Sequence, residues 1–179
     1  MRPEIAVENG LDAMSFQGFQ LAPEKDYVKS RKVLFINSSL QIGLAAPSAS
    51  TPYFYKNADA DEIIFVHEGS GRLLTMFGEL RFQYGDYIVI PRGTVYQVIF
   101  DGENNRWLFM ESADPVFTPK RYRNEFGQLL EHSPFCERDI RRPDNLQTHD
   151  VEGEFDIFIK KKGFMFPYVY ANHPFDVAG

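Results

Sequence analysis

The 179-residue sequence contains a single cysteine, Cys136, so it cannot form a disulfide within the chain. This excludes the small secreted domains that depend on disulfides, and it fits a reducing compartment. The sequence also has no apolar run near the roughly 20 residues that a membrane-spanning helix needs. Its first residues, MRPEIAVENG, carry acidic groups and no apolar segment of the kind found in signal peptides. We therefore expect a cytoplasmic protein that does not engage membranes.

The chain also lacks a net positive charge, since 19 lysines and arginines against 25 acidic residues give a formal net charge of −6 at pH 7. Because no net positive field would gather phosphates, a general nucleic-acid-binding function is excluded. Two local basic stretches remain, KRYR at 120–123 and RDIRR at 138–142. We interpret both as solvated surface or as partners in salt bridges, with contact to an acidic neighbouring surface as the alternative.

Histidine is sparse too, and its spacing does not indicate a metal site. The four histidines, His67, His132, His149 and His173, include no pair at the i, i+2 or i, i+4 spacing that places two ligands together. Cys136 has no base beside it in the sequence and is better explained as a buried thiol. We therefore predict no catalytic residue and no metal ligand set in this chain.

What the sequence does contain is a series of short apolar runs separated by glycine and proline. Hydrophobic residues make up 44% of the chain and aromatic residues 15%, which is enough for a sizeable core in one domain. The blocks 62–71 (EIIFVHEGSG) and 85–96 (GDYIVIPRGTVY) are typical of short antiparallel strands joined by tight turns. The pattern predicts an all-β fold.

The same two blocks resemble the two motifs of the cupin barrel. In the first block, Glu62 stands seven residues before Gly69. In the second block, Gly85 is followed by Pro91 and Gly93. The resemblance predicts a cupin-like jelly roll or β-sandwich.

In metal-binding cupins a His-x-His pair, a carboxylate and a further histidine converge from adjacent strands. Here the region 55–59 (YKNAD) and Tyr96 stand where the histidines would be, so Glu62 remains as a poor metal site on its own. We expect the Tyr96 hydroxyl to hydrogen-bond Glu62 or a small bound molecule. Tyr53, Tyr55, Glu62 and Tyr96 are our candidates for a substrate pocket, with core packing as the simpler interpretation for each tyrosine.

We divide the chain into four parts. These are an N-terminal arm (1–32), a cupin-like barrel core (33–112), a loop-rich segment (113–153), and returning strands followed by the start of a linker to a missing C-terminal domain (154–179). Phe16 and Phe19 are expected to anchor the arm to the core. The strands at 95–100 and 106–111 carry apolar groups on both faces, which indicates packing on a second sheet or on a partner subunit.

The stretch from Asn57 to Gly93 resembles the amino-terminal domain of homogentisate 1,2-dioxygenase in its bacterial-type form. The resemblance extends to three later segments, which are the loop-rich segment, the aromatic strand FMFPYVY and the final HPFDVAG. The resemblance covers most of the chain from Val33 onward. It implies a family that opens the aromatic ring of homogentisate with O₂, in tyrosine and phenylalanine catabolism. The family's non-haem Fe(II) is held by two histidines and one glutamate in a C-terminal domain, beyond the segment that HPFDVAG resembles.

The resemblance therefore implies that this chain is a non-catalytic domain, which scaffolds the oligomer, shapes the pocket of the iron domain and is inactive alone. It also implies Fe(II) in the missing domain only, a small aromatic acid as the substrate of the full enzyme, and a trimeric or hexameric homo-oligomer. The apolar final segment favours a fragment of a longer enzyme over a free-standing relative.

Two alternatives remain open at this point. The first is a free-standing, metal-free cupin that binds a small aromatic acid in a closed cavity lined by Tyr55, Glu62 and Tyr96. The second is a small cupin isomerase that uses Glu62 or His67 as its base.

Overall fold

The computed structural model describes residues 15–176 and contains eleven strands over that range. The strands are β1 (Lys32–Ile36), β2 (Leu40–Ala45), β3 (Phe54–Asn57), β4 (Asp61–Glu68), β5 (Gly71–Thr75), β6 (Gly78–Phe82), β7 (Tyr87–Ile90), β8 (Val95–Phe100), β9 (Arg106–Ser112), β10 (Glu152–Lys161) and β11 (Phe164–Asn172). Short 3-10 helices lie at Gly18–Gln20, Lys120–Tyr122 and Glu137–Asp139. Within the described range, no helix has the length and apolar character needed to cross a membrane.

The strands form two sheets. Sheet I has the order β1-β2-β9-β4-β7, and sheet II has the order β11-β10-β3-β8-β5-β6. Neighbouring strands are antiparallel except for β10 and β3, which run parallel. The expected all-β architecture with short strands and tight turns is therefore confirmed.

The core lies between the two sheets because the strands alternate buried and partly exposed residues. In β4 the inward residues Glu62, Ile64 and Val66 are buried while their neighbours are partly exposed. The main core draws on both sheets and on the turn before β1; its members are Tyr27, Ala45, Tyr53, Tyr55, Ile64, Val66, Leu73, Phe82, Ile88, Ile90, Tyr96, Val98, Trp107 and Phe109. A smaller cluster on the outer side of sheet II contains Phe54, Val95, Ile157 and Phe175.

The outer face of sheet I is also apolar, as predicted from the apolar residues on both faces of the strand at 106–111. The register aligns two rows of outward side chains across β2, β9, β4 and β7. The rows are Ile42–Met110–Ile63–Val89 and Leu44–Leu108–Phe65–Tyr87. Neither row contains a charged residue, although the solvent-facing side of an antiparallel sheet is ordinarily polar.

The returning strand β10 completes sheet II by pairing with β3. The parallel register places Lys160 beside Asn57 and Ile157 beside Phe54. This pairing joins segments separated by about a hundred residues of chain, and it carries a lysine from the end of the sequence into the barrel. The boundaries assigned to the four parts of the chain stay a prediction, and residues 1–14 and 177–179 of the terminal parts lie outside the described range.

The start of the described part of the arm lies on the outside of sheet I, whereas Tyr27, farther along the arm, belongs to the main core. Phe16 packs edge-on against Phe35 at 5.4 Å between ring centroids, and Phe19 packs against His67 at 4.8 Å. Both phenylalanines remain exposed, by 46% and 62%. The expectation that they anchor the arm to the core was therefore wrong, because their partners point outward from the sheet.

Sheet I tolerates no side chain at Gly43, where β2 passes between β1 and β9. A β-carbon there would meet the carbonyl oxygen of Lys32 and lie 2.6 Å from the Phe109 ring. We predict that Gly43→Ala lowers the free energy of unfolding by about 2 kcal/mol, because neither the strand backbone nor the buried ring can move freely. Urea denaturation measures the loss. Gly102→Ala, at a turn with open space around it, is the matched control; equal stability of the two variants would contradict the prediction.

Candidate functional site

Three of the four predicted pocket residues meet inside the barrel. Tyr55 and Tyr96 are cross-strand partners on β3 and β8, and their rings pack edge-on at 5.3 Å. The Tyr96 hydroxyl donates a hydrogen bond to Glu62 on β4 at 2.6 Å. Tyr53 is buried too, but its hydroxyl donates to Asp26 at 2.7 Å and takes no part in this group. A role of these residues in binding substrate stays a prediction.

A second carboxylate faces Glu62 across the sheet. Glu111 on β9 is the register partner of Glu62, and both side chains point inward and are buried. Two like charges directly opposite on neighbouring strands destabilise a sheet unless a cation lies between them. In this barrel an arginine side chain supplies the positive charge between the two carboxylates.

Arg31, just before β1, places its guanidinium between the two carboxylates. One terminal nitrogen pairs with Glu62, and the other donates to Glu111 at 2.6 Å. The guanidinium lies over the Tyr27 ring at 4.2 Å from its centroid and near the rings of Tyr55 and Phe109 at 5.5 and 5.1 Å. These contacts add cation–π attraction to the ion pairs. The Arg31 side chain therefore fills the space between the predicted pocket residues.

Two further residues complete what we call the interior network, which consists of Arg31, Asn57, Glu62, Tyr96, Glu111 and Lys160. The ammonium group of Lys160 pairs with the second oxygen of Glu111. Asn57 donates its amide to Glu111 at 3.0 Å, and its own oxygen accepts the backbone N–H groups of Asp59 and Ala60. Two cations and two carboxylates thus balance in a buried site.

Burial and pairing shift the pKa of Arg31 and of the tyrosines around it. Burial acts to lower the pKa of Arg31, but Glu62 together with the neighbouring tyrosines outweighs it and holds that pKa well above its ordinary value. Burial raises the pKa of Tyr96 far above normal, and the charge of Glu62 raises it further. Burial raises the pKa of Tyr27 and Tyr55 in the same way. These phenols are neutral at physiological pH and are unsuited to act as general bases.

The residues present do not fit an Fe(II) centre. A non-haem iron site of the facial-triad type needs two imidazoles and a carboxylate with open positions. Here both carboxylates are already bound by cations, and no histidine belongs to the network. Across residues 15–176, no group of three or more His, Cys, Asp or Glu side chains is placed to hold an ion.

The histidines lie elsewhere. His67 packs against Phe19 and Phe65 on the outer side of sheet I, whereas Glu62 points inward, so the two alternative bases of the isomerase hypothesis lie on opposite sides of the sheet. His149 and His173, far apart in sequence, do come together as a parallel stack with 4.3 Å between ring centroids. Burial, and secondarily the neighbouring His149, lower the pKa of His173. This pair sits among aromatic rings of the smaller cluster rather than at a polar site.

Sequence reasoning missed Arg31, Glu111 and Lys160. One signal was available for Glu111, because it continues the inward alternation of Trp107 and Phe109 along β9. A carboxylate at a core-facing position needs a buried partner. No local pattern marks Arg31, which lies outside the strands, or Lys160, whose partner depends on the parallel pairing of β10.

The fold and the site together define a jelly-roll barrel of the cupin type, whose inward polar positions are held by an internal ion-pair network. The chain belongs to the family described as Homogentisate 1,2-dioxygenase N-terminal, which matches residues 31–179. The expected resemblance is confirmed.

Curated relatives extend well beyond the length of this chain. The chain is 40% identical over 162 residues to "Putative dioxygenase SSO1533" of Saccharolobus solfataricus, covering 89% of this chain and 41% of the relative. It is 30% identical over 145 residues to the homogentisate 1,2-dioxygenase of Bradyrhizobium diazoefficiens, covering 76% of this chain and 31% of the relative. The chain therefore spans less than half the length of these relatives.

Solved structures of cupins align with about half of the chain. A cupin-2 domain protein from Shewanella frigidimarina gives a TM-score of 0.45 at 22% identity, covering 52% of this chain and 87% of that structure. The cupin domain of Cnp3 from Schizosaccharomyces pombe gives a TM-score of 0.44 at 17% identity, covering 47% and 64%.

Removing the central cation tests the network. We predict that Arg31→Met lowers the free energy of unfolding at pH 7 by about 3–5 kcal/mol, because it leaves buried carboxylates with too few partners. The loss should shrink toward pH 5. The folded variant would then bind more protons than the unfolded chain, so its stability rises as pH falls. Urea denaturation across this pH range provides the measurement.

The adjacent residue supplies a matched control. Lys32 is exposed and pairs with Glu24 at the surface at 2.8 Å, so Lys32→Met should change stability little and without the same pH dependence. If both variants lose the same stability at every pH, the network does not carry the energy that we assign to it.

Proposed function

We propose that this chain is the non-catalytic, structural N-terminal domain of a ring-cleaving dioxygenase-type protein. One observation carries the proposal: Arg31 and Lys160 occupy the two inward carboxylates around which a metal-binding barrel would be built. The site has no open coordination position for substrate or O₂, and its phenols hold their protons. A structural role therefore suits this network better than a catalytic role does.

The interior network connects every layer of the domain. Arg31 belongs to the turn before β1, Glu62 and Glu111 belong to sheet I, and Tyr96 and Lys160 belong to sheet II. Buried ion pairs contribute little net stability relative to an apolar core, but they penalise any arrangement in which a partner is lost. The network would therefore fix how the two sheets face each other, which a scaffold for another domain requires.

The catalytic part of the proposal rests on the relatives. One of them, from Bradyrhizobium diazoefficiens, carries the name homogentisate 1,2-dioxygenase, and the chain covers 31% of its length. We place ring opening, its Fe(II) and the small aromatic acid substrate in the part of such proteins that this chain does not cover. Tyrosine and phenylalanine catabolism in the cytoplasm is the corresponding role.

The surface supports assembly into a homo-oligomer, for which the family resemblance suggests a trimer or hexamer. Every residue of the edge strand β11 is exposed, and Phe164, Phe166, Tyr168 and Tyr170 extend the apolar outer side of sheet II. With the two apolar rows on sheet I, both sheets present outward surfaces that are costly to leave in water. A long apolar edge strand is also a site for unwanted pairing unless it is covered.

The closed-cavity alternative receives no such support. It required open space lined by Tyr55, Glu62 and Tyr96, and that space holds the Arg31 guanidinium. A small aromatic acid could enter only by displacing an arginine that is bound by two carboxylates.

Iron content and oxygen uptake test the non-catalytic role. We predict that the purified 179-residue chain, incubated anaerobically with Fe(II) and desalted, retains far less than one iron per chain. It should also consume no O₂ above background with homogentisate. The full-length Bradyrhizobium homogentisate 1,2-dioxygenase, treated identically, is the positive control. Stoichiometric iron with turnover in the 179-residue chain would refute the proposal.

Light scattering after size exclusion tests the assembly. We predict that the chain elutes as an oligomer and that Phe166→Lys with Tyr168→Lys shifts it toward the monomer mass, because charges desolvated in an apolar contact are costly. Gln147→Lys with Thr148→Lys adds the same charge in an exposed loop and should leave the mass unchanged. A monomeric parent chain, or equal effects of both pairs, would count against assembly through this surface.

A further inference from the structure

A large cleft lies where the two sheets fail to meet. Strand β6 ends sheet II and β7 ends sheet I, and neither sheet extends across the gap between them. The cleft has a volume of about 1060 Å³. Its remaining walls come from two segments of the long loop, 116–119 and 139–143. The site is separate from the interior network, none of whose members lines it.

The inner surface of the cleft is apolar. Its floor includes Leu73, Phe82, Ile88 and Ile90, each 3% exposed or less. All seven residues from Gly85 to Pro91 line it, so it follows the whole of β7, a length of about 20 Å for an extended segment. The volume is at the upper end of small-molecule sites, which run to about 1000 Å³. An elongated apolar body fits this shape better than a compact ring does.

The mouth of the cleft is positive although the chain as a whole is acidic. Three arginines and two aspartates line it, which gives a local formal charge of +1 in a chain of −6. Arg141 is engaged by Asp86 and donates to the backbone oxygen of Arg81 at 3.0 Å. Arg81 has a distant carboxylate neighbour in Glu79, at 3.6 Å, and its side chain is 79% exposed. Arg142 has no ion pair within the described part of the chain.

We propose that this cleft binds an amphipathic carboxylate with an elongated apolar body, such as a medium-chain fatty acid. The apolar body lies along Phe82 and Ile88, and the carboxylate lies at the mouth beside Arg81 and Arg142. Guanidinium groups suit this role because they present a planar set of donors that matches a carboxylate. Binding at this cleft is independent of the role proposed for the interior network.

An extended peptide fits the cleft less well. A peptide strand could pair with the free edge of β7, but its other edge would face the apolar floor and β6. The outer edge of β6 is already bridged at Glu79 by Asp144, through hydrogen bonds of 2.7 and 2.9 Å. Backbone groups on that side of the peptide would lose water without gaining partners, which is costly. A hydrocarbon chain carries no such groups.

Calorimetric titration of the full 179-residue chain with decanoate tests the proposal. We expect one saturable site, weakened about tenfold by Arg81→Gln with Arg142→Gln, since an exposed ion pair contributes only modestly to affinity. Decanol, which has the same chain and no charge, should bind the parent and this variant equally. Ile140→Trp, a substitution in the loop wall, should reduce the binding of both ligands because it fills the cleft.

Arg121→Gln with Arg123→Gln is the matched control. It removes the same two charges from the other basic stretch, none of whose residues lines the cleft, and should leave decanoate affinity unchanged. Three results would overturn the proposal: no saturable binding of decanoate, equal weakening by both arginine pairs, or affinity unaffected by Ile140→Trp. Binding of an acidic, apolar extended peptide in the absence of decanoate binding would also overturn it and assign the cleft to a protein partner.

Discussion

The structure depends on a constraint between two carboxylates. Glu62 and Glu111 face each other on neighbouring strands with almost no exposure to solvent. Their repulsion and lost hydration would disfavour the sheet if no cation entered the barrel. Two cations, Arg31 near the start of the described chain and Lys160 near its end, pair with these carboxylates. The turn before β1 and the parallel strand β10 are held in place by the same requirement.

This arrangement changes what the barrel is able to do. A few of the strand positions that point inward carry charged groups, and each charged group there is matched by another side chain. Burial keeps the phenols protonated, so they serve as hydrogen-bond donors rather than as bases. The chain belongs to the Homogentisate 1,2-dioxygenase N-terminal family and spans less than half the length of its curated relatives.

The outer surface differs from that of a free-standing β-sandwich. The outer rows of sheet I are apolar and partly exposed, and the aromatic strand β11 is exposed throughout. Such surfaces are stable when another protein surface covers them. The cleft between β6 and β7 differs from both, because its apolar floor is recessed and its mouth carries arginines. A flat protein surface would cover the outer rows of sheet I and strand β11, but it would not fill the cleft.

The strands and the turns can be predicted from the sequence, because alternation and glycine and proline at fixed offsets are short-range patterns. The hydrogen bond between Tyr96 and Glu62 joins β8 of sheet II to β4 of sheet I, and it was expected only through the resemblance to the cupin motifs. The arginine that fills the barrel was decided only by the tertiary structure, because Arg31 lies 80 residues from Glu111 in the chain. Lys160, 49 residues beyond Glu111, enters through a parallel strand pairing that no local pattern encodes. Alternation shows that a residue faces inward, but only packing shows which charge it meets there.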